Sequence, residues 1–161
     1  MPEKQTLKRA RRDRRQGKAP STQAGEFVRE EIHHIREGKH GARSTKQAIA
    51  IALSKARRAG VKLGTPKRAS SRTRKSARSA QRRAGKQPSP RRSRAMLARL
   101  EHERGDVATP KALARFARQT ARARGPTDRR RAARRALRTK GAAGRRAAAR
   151  KAARTRRRRA G

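Results

Sequence analysis

The chain has 161 residues, of which 52 are Lys or Arg and 10 are Asp or Glu, giving a formal charge of +42. Leu, Ile, Val and Phe together number only 16, and the 32 Ala residues make up most of the nominally hydrophobic fraction. Ala buries too little surface to offset the entropy of ordering a long chain, so this composition excludes one large apolar core and the pocketed enzyme built on one.

Taken in chain order, residues 1–19 read as a basic N-terminal arm. Residues 20–63 read as a helical hairpin. Its first helix is capped by Ser21 and stops at Gly38, with Ala24, Val28, Ile32 and Ile35 on one face and Phe27 beside them. Its second helix starts at Ser44, where Ser44 followed three residues later by Gln47 fits a capping box, and it stops at Gly60. Ala48, Ile49, Ala52, Leu53 and Ala56 form its apolar face, and Val61 and Leu63 are placed to close the hairpin. Residues 64–88, rich in Ser, Arg and Lys, read as a basic disordered linker. A weaker second helical hairpin is expected over 89–125. Its first helix opens at Ser89-Pro90, carries Met96, Leu97 and Leu100, and ends at Gly105; its second opens at Thr109-Pro110 with Leu113 and Phe116 inward. Residues 126–161 form a basic Ala/Arg-rich tail that like-charge repulsion should keep frayed in free solution. The fold class expected is therefore mostly α with extensive disorder.

The acids mark this organisation. Six lie before residue 38, three more are Glu101, Glu103 and Asp106, and the last is Asp128. From Arg129 to Gly161 there are 16 Lys or Arg and no acid. Self-repulsion on this scale persists where a polyanion relieves it, and duplex DNA presents one charge per ~1.7 Å. No apolar run approaches the ~20 residues of a membrane span, and no apolar stretch follows the basic start to make a secretory signal, so no membrane is expected. The absence of Cys removes disulfides and thiolate metal sites. With no Trp or Tyr there is no aromatic platform for stacking unpaired bases.

Three motifs bear on chemistry. Thr65-Pro66-Lys67-Arg68 and Ser89-Pro90-Arg91-Arg92, with the partial Thr109-Pro110-Lys111, resemble the Ser/Thr-Pro-basic-basic repeats of linker-histone and sperm-histone tails, a likeness that implies minor-groove contact; they read equally well as helix starts. The run Glu31-Ile32-His33-His34 has the Glu-x-x-His form of a di-iron helix but lacks a second such helix; with Glu30 and His34, and His33 and Glu37, at i to i+4 spacing, the segment reads as an exposed mixed-charge face and no metal or cofactor is assigned. The hairpin itself allows a helix-turn-helix reading with Lys46, Lys55, Arg57 and Arg58 outward, and Gly38, Gly41 and the amides after Ser44 suit a phosphate.

On the run from Pro20 to Leu63, PSTQAGEFVREEIHHIREGKHGARSTKQAIAIALSKARRAGVKL, and the arm before it, the chain resembles an uncharacterised family of small, highly basic bacterial proteins defined as a domain of unknown function. Residues 91–125 are more loosely similar to a second block of its longer members, and the tail resembles the Ala/Lys/Arg-rich tails of bacterial histone-like proteins in composition. The resemblance implies a bacterial source and a cytoplasmic setting and brings no catalytic residue.

The function expected is non-enzymatic binding of duplex DNA, mainly through phosphates and with little base preference, in nucleoid organisation or protection. The residues expected to carry it are Lys46, Lys55, Arg57, Arg58, Lys67, Arg68, Arg91, Arg92, Arg129, Arg130, Arg131, Arg134, Arg135, Arg145, Arg146, Arg156, Arg157, Arg158 and Arg159. An RNA- or ribosome-associated protein, and a regulatory module built on the hairpin's acidic face, are the alternatives. Self-association is open.

Overall fold

The computed structural model describes residues 2–66 and 69–160, without the side chains of Thr139, Lys140, Arg159 and Ala160, and contains no strand among them. It divides into two compact units, Met1–Phe116 and Ala117–Gly161.

In the first unit, α1 (Lys4–Arg15), α2 (Pro20–Arg36), α3 (Thr45–Arg58) and α4 (Ser71–Arg82) pack in sequence order, each on the next. Two apolar clusters hold them. One gathers Ala10, Ala24, Phe27, Ala52, Ala56 and Val61, with Leu7, Leu53 and Leu63 against it. The other gathers Ile32, Ile35, Ala42, Ala48, Val107 and Ala108, with Leu113 against it, and Val28 touches both. The small side chains are consistent with the composition, because alanines on facing helices let backbones approach closely around one large residue. Phe27, 1% exposed, is that residue.

The helix ends follow local chemistry. Ser44 caps α3, its hydroxyl accepting from the Gln47 amide at 3.2 Å, while the Gln47 side chain reaches back to the Arg43 amide at 3.0 Å, one residue before the position a capping box usually serves. Gly38 and Gly60 lie at φ +72° and +88° just past α2 and α3, as their positions in the sequence require. In both turns the glycine and its successor return amides to the last helical carbonyls, Lys39 to His34 and Val61 to Ala56, each at 3.0 Å.

Several expectations need correction. The expected disorder gives way to helix over most of its span. The basic arm forms α1, which seats Thr6, Ala10 and Asp13 against α2. The linker forms α4, capped by Ser70 and buried through Ala77 and Ala80 on α3. In both cases an alanine stripe at helical spacing supplies a packing face that large apolar side chains do not mark. Helix α2 begins at Pro20 with Ala19 as its cap, earlier in the chain than a Ser21 cap implies, because Pro is suited to the first helical position.

The second hairpin does not form as such. Helix α5 (Pro90–Glu101) packs on no other helix; it ends before Gly105, and its apolar Met96 and Leu97 are exposed. What docks is the stretch after it. The 3-10 turn Asp106–Ala108 lies on α2 and α3, where the Thr45 hydroxyl donates to the Val107 carbonyl at 2.7 Å and the Arg36 guanidinium to that of Ala108 at 2.9 Å. Hydrogen bonds fix this turn in a way that hydropathy alone does not show.

Helix α6 (Pro110–Ala123) starts in the first unit. The second unit contains α7 (Gly125–Ala160), interrupted at Gly141 where the backbone turns to φ 59°, ψ −177°. The tail is thus helical. Ala, Arg, Lys and Leu are among the strongest helix formers, and over so many residues that preference outweighs like-charge pairs worth only ~0.2–0.5 kcal/mol each.

Candidate nucleic-acid interface

Acids decide which cations remain available. Close to α1 and α2, each one is drawn inward or paired. The Lys18 ammonium lies 2.7 Å from Asp13, whose side chain is buried. Glu26 meets Arg9 at 3.9 Å and Arg29 at 3.6 Å. Glu30 is buried and accepts the Glu3 amide at 3.2 Å, and Glu3 in turn accepts from His34 at 2.8 Å. Glu31, 1% exposed, takes Lys55 at 2.6 Å and faces the buried His40 at 3.6 Å. On the surface, Glu37 lies 3.0 Å from both His33 and Lys39. His34 holds the Glu3 carboxyl below its ordinary pKa, and the Lys39 hydrogen bond does the same to Glu37.

This corrects the reading of Glu30 to His34 as an exposed mixed-charge face. The His33 to Glu37 pair forms as spacing suggests, but Glu30 and Glu31 turn into the interfaces with the chain's start and with α3. The acids of the hairpin are therefore structural ties. Among the described residues no group of three or more His, Asp or Glu is arranged to hold a metal ion.

Of the four cations expected on α3, the structure leaves one fully exposed, Lys46. Lys55 is bound to Glu31. Arg57 is 8% exposed, its guanidinium reaching the Leu53 carbonyl at 3.5 Å and the Gly64 carbonyl at 3.3 Å, and burial pushes its pKa down. Arg58 is half-buried, with its Nε shielded from solvent, and its carbonyl accepts from the Gly85 amide at 2.9 Å. The cause of all three departures is tertiary: α2 and α4 both pack on α3. Of the amides expected to cradle a phosphate before α3, those of Gly38 and Gly41 are engaged within the fold, donating to the Ile35 and Leu100 carbonyls at 3.2 and 2.8 Å.

Elsewhere the expected residues are accessible. Arg91 and Arg92 are exposed in the first turn of α5, where Pro90 is the first helical residue; Thr109 likewise caps α6, accepting from the Ala112 amide at 3.2 Å. Those two Ser/Thr-Pro motifs therefore form helix starts. Lys67 and Arg68 of the third lie outside the described residues. In the second unit Arg129, Arg130, Arg131, Arg134, Arg135, Arg145, Arg146, Arg156, Arg157 and Arg158 are all exposed, and the Arg159 side chain lies outside the described part of the chain.

Sequence reasoning missed the cations that the two unforeseen helices organise. On α4, Arg72, Arg74, Lys75, Arg78 and Arg82 are exposed, with Lys75 and Arg82 opposite Ala77 and Ala80. On α1, Lys4, Lys8, Arg11 and Arg15 border a shallow open groove of ≈ 380 Å³ with Leu7. The signal was present in the spacing of Thr6, Ala10 and Asp13 and of Ala77 and Ala80, residues too small or too polar to register as a core face.

Set beside known families, curated proteins and solved structures, the chain matches none of them.

Proposed function

We propose that this protein binds duplex DNA without catalysis, chiefly through phosphate contacts and with little base preference, and that it serves in nucleoid organisation or protection in a bacterial cytoplasm. One observation carries the reading. From Arg129 to Gly161 there is no acid, and every Lys and Arg whose side chain is described there is exposed. A helix with cations around its circumference and Leu137 as its one large apolar residue buries no core of its own, whereas a polyanion offsets its self-repulsion and releases counterions on contact. In the first unit the engagement of Lys55 and Arg57 by internal partners weakens α3 as a base reader and leaves backbone contact as the favoured mode. The bacterial, cytoplasmic setting rests on the sequence resemblance of residues 1–63 alone, since the chain matches no known family, and no residue role follows from it.

Titration of the full chain on two unrelated duplexes of equal length, over a range of salt, tests this. If half of the 16 tail cations engage phosphates, the log-log slope is about −7. A slope shallower than about −3, or a preference above roughly 100-fold for one duplex, overturns the proposal. A parallel titration on duplex RNA of the same length, together with selective release from cell extract by RNase and not DNase, would assign the partner as RNA instead.

A further inference from the structure

The outward stripe of α1 is built differently from the rest of the basic surface. Thr6, Ala10 and Asp13 point into the fold. At 100° per residue, Lys4, Lys8, Arg11 and Arg15 fall on the opposite side, at spacings of four, three and four. All four are exposed, and none has an ion-pair partner among the described residues. The acids that could neutralise them lie on or toward the other side. Asp13 is buried and paired with the exposed Lys18, Glu3 is engaged by His34, and Glu26 and Glu30 belong to α2. Helix α1 thus separates charge across its own width.

It is also held in place. Besides Leu7 and Ala10 in the core, the Glu3 amide is tied to Glu30, the Glu3 carboxylate to His34, and Arg9 faces Glu26. The stripe therefore presents its charges with the helix already ordered, at little entropic cost on binding.

Its dimensions suit one kind of ligand. From Lys4 to Arg15, eleven rises of about 1.5 Å give a stripe roughly 16 Å long. One strand of duplex DNA rises 3.4 Å per phosphate but winds around the axis, which sets its phosphates roughly 7 Å apart along the strand, so the stripe spans about three phosphates with four cations. We infer that the outer face of α1, through Lys4, Lys8, Arg11 and Arg15, is a preformed contact of the folded unit for one phosphodiester strand of duplex DNA. This rests on the DNA-binding reading above and adds a docking surface in a segment that composition marks only as a basic arm.

The full-length protein tests it in two ways. The first compares a variant carrying Lys4→Gln, Lys8→Gln, Arg11→Gln and Arg15→Gln with a control that removes four scattered exposed cations, Arg43→Gln, Lys62→Gln, Lys86→Gln and Arg99→Gln. Each phosphate that a cation neutralises adds about 0.9 to the steepness of the salt slope, so the stripe variant should be shallower by about 3 and the control by less than half of that. The second needs no substitution: lysine acetylation of the native protein, read by mass spectrometry, should be slowed at least several-fold at Lys4 and Lys8 by saturating duplex DNA, and much less at Lys62 and Lys86. Equal slope changes in the two variants, or unchanged acetylation of Lys4 and Lys8 while the chain still binds DNA, overturn the inference and leave the DNA-binding reading standing. If the native chain does not bind duplex DNA at all, that reading fails first. Protection by duplex RNA and not by DNA overturns the assignment of the ligand.

Discussion

Gly41 offers the most direct test of how the first unit is closed. A methyl group at this position would overlap the Glu103 carbonyl and come within 2.8 Å of the Arg104 carbonyl oxygen, both main-chain groups that cannot rotate aside. Gly41→Ala therefore separates the α2–α3 loop from the segment after α5. Two hydrogen bonds go at once, Gly41 amide to Leu100 carbonyl and Ala42 amide to Arg104 carbonyl, at about 0.5–1.5 kcal/mol each. If the separation reaches Val107 and Ala108, the Thr45 and Arg36 bonds to their carbonyls break too, and exposure of Val107 adds about 1.5 kcal/mol or more. The cost thus runs from about 1 kcal/mol for a local adjustment to about 7 kcal/mol or more for full detachment, and we expect about 3 kcal/mol. Urea unfolding followed by circular dichroism measures it. Gly64→Ala is the control, because Gly64 has nothing within 4 Å of the added methyl and no left-handed backbone. A Gly41→Ala midpoint indistinguishable from that of Gly64→Ala would refute the role given to this contact.

Two further outcomes follow from the ion pairs. In the folded chain Glu3 and Glu37 titrate below their ordinary value of 4.5, so the stability they add is complete above pH 4.5 and is lost as pH falls through the lower folded values. Glu3→Gln should accordingly flatten the decline of the urea midpoint on the acid side of pH 4.5, and an equally steep decline in the variant would count against the His34 tie. Lys55→Met should destabilise the chain by up to about 3 kcal/mol, the low end for a buried pair because the Lys55 side chain is a quarter exposed, while Glu31→Leu with Lys55→Met should recover most of that stability. Its DNA salt slope should stay within about one unit of the native value, whereas a drop of several units would return Lys55 to the nucleic-acid surface.

Much of the hairpin was legible because its signals are local. Ser44 with Gln47, and the glycines at 38 and 60, act within one turn of the helices they bound, so their chemistry is present in a short window of sequence. The apolar faces of α2 and α3 were legible for the same reason. The rest depends on partners distant in sequence. Lys55 looks like a surface cation until Glu31, 24 residues earlier, is set against it, and Arg57 until the Gly64 carbonyl closes over it. Helices α1 and α4 were hidden by the chemistry of their contacts. Ala10, Ala77 and Ala80 serve at once as helix formers and as packing surfaces, and a run of alanines among arginines shows only the first.

The same partition explains how so basic a chain builds a folded unit. A buried carboxylate gains little net stability from a lysine alone, since desolvation of both groups opposes their attraction. Glu31 is placed where Lys55 and His40 converge, and Glu30 where the main chain of Glu3 supplies a donor, so each carboxylate fixes one specific approach, of α3 and of the chain's start respectively. In a core made largely of alanine, where many helix offsets bury similar area, such pairs select one register. Their placement has a second effect. With Glu30 and Glu31 buried and Glu3, Asp13 and Glu26 engaged on the inner side of α1, the outer surface carries cations that those acids do not offset. The interactions that order the first unit thereby leave the outer face of α1 positive.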